Sequence, residues 1–253
     1  MKKQFLKKGF LKKELYPKVS PDASKRAWVI GAAGAEKGCG ATHFLWSAAN
    51  YLSNVTGSRV AVCNLSGEAD YGQAQVILGK AGDRTSLNGK FSYCRITFFG
   101  QADEDELVKQ TGRYDCVLLD LGYDAEKYKR LLSRCDKRFL IGALNEWRCA
   151  DFVTAALRLE ALYGEGFTAL SSFYSAKGIR RYNAAAQKEI MLLPYEPEPF
   201  CLHKDMLAFF DGAFPAGIFW KDGLSPYGAG GRRNTRTGRT KKYRKYKKYA
   251  TAR

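Results

Sequence analysis

No run of about 18 uninterrupted apolar residues occurs in this chain, so a membrane-crossing helix is not expected. The basic N-terminus is broken by lysine every few positions and lacks the apolar centre of a secretory signal. Only two histidines are present, and the seven cysteines include no Cys-x-x-Cys pair. A zinc site and a disulfide framework are therefore not expected. Cys63 and Cys116 lie inside apolar runs and read as small buried residues. A reducing cytoplasm is the simplest home.

Charge is abundant but uneven. Residues 1–30 carry nine Lys/Arg and two acids, and residues 232–253 carry eleven Lys/Arg and no acid. The stretch between, 31–231, holds 22 basic and 23 acidic residues. A nearly neutral body thus has two basic ends, which bear on partners rather than on the fold. With 45% apolar residues the body has enough material for a packed core.

From Ala27 onward short apolar runs alternate with helical stretches. Strands are predicted at 28–32, 59–63, 93–99, 116–119 (ending at Asp120), 139–143, 167–173 and 190–193. Helices are predicted at 42–54, 70–78, 103–111, about 124–134 and 146–163. This order predicts an α/β fold, a mostly parallel sheet with helices on both faces. Residues 206–220, with one charge in fifteen, are expected to close the core, or else to present an apolar interaction patch; Gly212, Pro215 and Gly217 break any long helix there. Beyond Trp220 the composition turns to Gly, Ser, Arg and Lys and reads as a disordered tail.

Between the first strand and its helix lies Ala35-Glu36-Lys37-Gly38-Cys39-Gly40-Ala41-Thr42. A Gly-rich turn entering a helix aims turn amides and free helical N–H groups at one point, where the helix dipole favours an anion. Against the pattern G-x-x-x-x-G-K-[ST], Gly40 and Thr42 are kept, while Ala35 replaces the first glycine and Ala41 the lysine. A dinucleotide fingerprint fits worse: its third glycine position is His43, and the second strand ends at Asn64 rather than at an acid. His43, on the first helical turn, reads either as a phosphate contact or as a packed or capping residue.

The turn 34-GAEKGCGATH-43, the strand 114-YDCVLLDLG-122 and the late segment 190-IMLLPYEPEPF-200 resemble the deviant Walker-A ATPases, the group of MinD and ParA with the pilus-localisation proteins CpaE and TadZ. The likeness covers roughly 27–210, and the Ala-Thr pair after Gly40 is similar to the CpaE-like members. It implies a P-loop NTPase-like domain at 27–220, between a basic extension at 1–26 and a basic tail at 221–253. It implies ATP and magnesium as cofactors: Lys37, Gly38, Cys39, Gly40, Ala41, Thr42 and His43 around phosphate, Pro194 on the nucleotide-side loop, Thr42 and Asp120 on the metal, and Asp120 as the residue tied to hydrolysis. The departures imply a degenerate loop. Ala41 stands where the phosphate-binding lysine belongs and Glu36 where the signature lysine belongs, with Lys37 one position late. Asn64 and Ser66 replace the acid that helps to position water. Losing one charged hydrogen bond to phosphate weakens binding roughly 10–150-fold. ATP binding is therefore expected to be weak or absent, with hydrolysis largely lost; an active ATP-dependent switch is the alternative.

The tail offers Arg232, Arg233, Arg236, Arg239, Lys241, Lys242, Arg244, Lys245, Lys247 and Lys248, with Tyr243, Tyr246 and Tyr249 interleaved. Such a segment suits a polyanion, either nucleic acid with bases stacked on tyrosine or an anionic membrane surface. In the head, Phe5, Leu6, Phe10, Leu11 and Leu15 do not gather on one helical face, so a clean amphipathic anchor is not expected. Two readings follow. One is a localisation or assembly scaffold, cytoplasmic and peripheral at the inner membrane face, with protein assembly partners and a homodimer over the loop face. The other is a nucleic-acid-binding protein working through its tail.

Overall fold

Strands buried on both faces need apolar side chains on both sides, and the central runs here supply them. Cys116–Asp120 and Val60–Asn64 are buried at every position. The computed structural model describes residues 26–67, 70–79, 89–103, 112–123, 127, 129–164, 166–186 and 189–214. In chain order these form β1 (Trp28–Gly34), α1 (Ala41–Asn50), a π-helical turn (Tyr51–Val55), β2 (Val60–Asn64), α2 (Asp70–Leu78), β3 (Lys90–Tyr93), β4 (Ile96–Phe99), β5 (Cys116–Asp120), α3 (Lys129–Ser133), β6 (Lys137–Leu144), α4 (Cys149–Tyr163), β7 (Thr168–Tyr174), α5 (Ala176–Ala186), β8 (Met191–Leu192) and α6 (Lys204–Ala213).

The eight strands make one sheet in the order β3-β4-β2-β5-β1-β6-β7-β8. All described pairings are parallel except β3 with β4. Side chains alternate across β5: Cys116 and Leu118 join a core with Phe44 and Leu45 of α1 and Phe210 of α6, whereas Val117 and Leu119 join one with Leu132 of α3, Phe152 of α4 and Tyr182 of α5. The connections after β1 and β5 therefore leave to opposite faces. That is the topological switch at which open α/β sheets place ligands, beyond the carboxyl ends of the strands.

The 93–99 segment is not one strand. It folds back at Cys94 and Arg95, whose φ values of 47° and 65° give the primed turn of a two-residue hairpin, and pairs Tyr93 with Ile96. Unlike Asn-Gly, Cys-Arg gives no sequence signal for left-handed backbone. Helix α5 carries no predicted counterpart, and α4 begins three residues later than expected. There the Arg148 amide donates to Asn145 Oδ1 and the Cys149 amide to the Asn145 carbonyl, holding 145–148 in a turn. The helix expected at 103–111 falls on 104–111, outside the described residues, as do 1–25 and 215–253, which include both basic ends. Residues 206–214 do close the core: Met206, Phe210 and Phe214 are buried, and the Tyr51 hydroxyl donates to Asp211 Oδ1 at 2.6 Å.

Candidate phosphate-binding site

The loop 35–40 lies at the carboxyl edge, held from both sides. The Gly34 amide donates to the Gly122 carbonyl at 2.6 Å and the Ala35 amide to the Ile141 carbonyl at 2.7 Å. These two bonds lash the loop base to the turn after β5 and to the middle of β6. Gly38 and Gly40 have φ of 75° and 93°, a left-handed backbone that glycine adopts without a side-chain penalty. Gly40 is the N-cap of α1, so the first amides of that helix open at the loop. Lys37 and Gly38 are exposed, Cys39 and Ala41 are buried, and Gly40, Thr42 and His43 are half-buried. Burial pushes the Cys39 thiol up, so it is an uncharged filler under the loop.

Thr42 and Asp120, 78 positions apart in sequence, meet: the Thr42 hydroxyl donates to Asp120 Oδ2 at 2.7 Å. Register explains why, because Asp120 lies opposite Ala32 of β1 and Asn64 of β2, in the last row of the sheet. Asp120 is fully buried and accepts two further bonds, from the Tyr71 hydroxyl at 3.0 Å and the Gly122 amide at 3.2 Å. Complete burial and the nearby Asp120 charge hold the Tyr71 phenol protonated, hence a donor. Tyr71 was not legible as a site residue; it is one aromatic in a helix whose amphipathicity is weak.

Burial raises the Asp120 carboxyl above its ordinary value of 3.8, against the hydrogen bonds from Thr42, Gly122 and Tyr71. The folded chain then takes up a proton more readily than the unfolded one. Stability conferred at acid pH is lost as pH rises from about 3.8 through the raised value. Asp120→Asn is expected to abolish that decline, so urea midpoints of the variant gain on the wild type from acid to neutral pH. Curves that stay parallel would rule out this cost.

Three features fit a phosphate chain with magnesium: the open backbone at Gly38, the amide-rich start of α1, and a hydroxyl oriented by a buried carboxylate. A fourth does not. Ala41 brings no charge to the loop, and Asn64 at the end of β2 is held in an internal turn, in which Ser66 donates through its amide and hydroxyl to Asn64 Oδ1 while Asn64 Nδ2 donates to the Gly100 carbonyl. Glu36 turns toward α4, where its Oε2 lies 3.4 Å from Nε of Arg148. Burial raises the Glu36 carboxyl while Arg148 lowers it. On the far side, Pro194 is half-buried in a groove of about 550 Å³ lined by Tyr174, Leu192, Tyr195, His203 and Asp205. The buried Glu196 carboxylate orients His203 by accepting from its amide at 2.7 Å and pairing with Nδ1 at 2.8 Å. Among the described residues no three His, Cys, Asp or Glu side chains gather as a metal cluster, and no helix is long and apolar enough to cross a membrane.

This architecture is the MinD/ParA P-loop NTPase fold. MinD cell division protein of Aquifex aeolicus aligns over 76% of this chain and 93% of its own at 16% identity, with a TM-score of 0.51. The MinC:MinD cell division complex of the same organism gives 76%, 92%, 15% and 0.51. A putative plasmid partition protein of Borrelia burgdorferi bound to AMPPNP aligns over 77% of this chain and 98% of its own at 12% identity, TM-score 0.51. No family model and no curated protein matches in sequence. At these identities the likeness establishes the fold.

Proposed function

We propose that this chain is a MinD/ParA-like P-loop protein with a degenerate loop, a localisation or assembly scaffold of the CpaE/TadZ kind with weak or absent ATP binding and little hydrolysis. The observation that carries it is the split state of the cradle. Its magnesium-side pair, Thr42 and Asp120, is in contact at 2.7 Å, whereas the lysine position is Ala41 and the acid position is Asn64. Phosphoryl transfer depends on positioning and on neutralising developing charge, and both depend on the groups replaced. The Borrelia neighbour's AMPPNP supports the nucleotide side of the reading, and the Aquifex MinC:MinD complex supports a protein partner. The basic ends would hold the scaffold at an anionic inner membrane face, with the nucleic-acid reading kept by the tyrosines of the tail.

Purified full-length protein is expected to show negligible magnesium-dependent ATP turnover, unchanged by Asp120→Ala. Turnover that the substitution abolishes would establish the active switch instead.

A further inference from the structure

Arg148 stands at the N-cap of α4, on the strand edge beside the loop. Its Nε faces Glu36 Oε2 at 3.4 Å, and its guanidinium lies over the ring of Trp147, 4.4 Å from the centroid. The pair is poorly made. A well-formed guanidinium–carboxylate contact is bidentate at about 2.7–2.9 Å; here Nε and Oε2 stand 3.4 Å apart. The other carboxylate oxygen, Glu36 Oε1, is buried without any hydrogen bond. A half-satisfied pair in a partly dry place is easily exchanged for a better anion. A phosphate chain offers that anion, because its oxygens match the planar fork.

We infer that Arg148 is the cation this loop uses in place of its missing lysine, and that Glu36 holds it in reserve until a triphosphate takes the guanidinium. This rests on the nucleotide reading above and extends it. Glu36 sits where the resemblance puts a lysine, so the cradle has exchanged a loop cation for a loop anion and taken its positive charge from the next connection of the sheet. Trp147 is 74% exposed, so it reports the exchange directly: a guanidinium leaving its ring changes indole emission.

The test is titration of the full-length chain with magnesium-ATP, ADP and adenosine at 200 mM salt, which suppresses binding by the basic tail. Heat and tryptophan emission are both read. Wild type is expected to bind ATP more tightly than ADP and adenosine, with an emission change that Trp147→Phe removes. Arg148→Ala is expected to weaken ATP about 10- to 150-fold. Glu36→Gln is expected to tighten it, and the double variant to behave like Arg148→Ala. Unfolding midpoints near wild type show that each variant is folded. If wild type binds ATP and Arg148→Ala binds equally well, Arg148 is not the grip, though the nucleotide reading stands. If neither wild type nor Glu36→Gln binds ATP, the role of Arg148 falls, whereas the scaffold reading, which includes absent ATP binding, stands.

Discussion

The full-length chain is expected to bind polyanions in a salt-sensitive way, and deletion of residues 232–253 is expected to abolish that binding. The deleted stretch carries eleven basic residues and no acid, whereas 31–231 holds 22 basic and 23 acidic residues. Engaging 6–10 phosphates makes affinity fall about 10³–10⁵-fold between 50 and 200 mM salt, through counterion release. Full-length protein should show that slope and the truncated protein should not. The choice of polyanion follows from the same pair of proteins. The scaffold reading expects flotation with vesicles containing phosphatidylserine, at about 1 kcal/mol per basic residue near the surface. The nucleic-acid reading expects tighter capture of single-stranded DNA and a loss of about 1–3 kcal/mol per stacking residue when Tyr243, Tyr246 and Tyr249 become alanine. Binding that survives truncation would remove the tail from both accounts.

The largest effect on folding is expected at Gly178, not at a glycine of the loop. A methyl group on Gly178 would lie 1.8 Å from the Leu144 carbonyl oxygen and 2.7 Å from its carbon. These are backbone atoms at the end of β6, and no rotamer change relieves them. The region is tightly bonded: the Ser175 amide donates to the Leu144 carbonyl at 3.0 Å, and the Gly178 amide to Ser175 Oγ at 2.9 Å. Gly178→Ala is therefore expected to cost about 3 kcal/mol. For a folded body of this size that lowers the melting temperature by about 6–12 °C. Because Leu144 leads into the turn bearing Arg148, the same variant is expected to loosen the candidate site. Gly212 lies in α6 with open space beyond it, so Gly212→Ala is expected to raise stability by about 0.5–1 kcal/mol. Equal urea midpoints for the two variants would overturn the packing account.

Periodicity carried much of the fold. Buried parallel strands leave runs such as Cys116–Asp120, and helices leave a face such as Phe44, Leu45, Ala48 and Ala49, so β5 and α1 were legible from residue order. The β3–β4 hairpin was not, because its turn residues, Cys94 and Arg95, take a left-handed backbone without the glycine or asparagine that usually marks it. Nor was α5, where Lys177, Arg180 and Arg181 dilute the apolar signal and burial is confined to Gly178, Tyr182 and Ala186.

The amino-acid order by itself determined that a Gly-rich turn would join the first strand to a helix, that Asp120 would end a buried strand, and that the uncharged residues Ala41 and Asn64 would follow Gly40 and end the second strand. These are local properties: backbone freedom, side-chain charge and strand periodicity are set by residue type and near neighbours. Only the tertiary structure decided that Thr42 bonds Asp120, that Tyr71 shares that carboxylate, and that Glu36 faces Arg148. Those contacts depend on strand order and register, which the crossover connections set once apolar faces on both sides of the sheet are buried together. No spacing along the chain encodes meetings between residues 49, 78 and 112 positions apart.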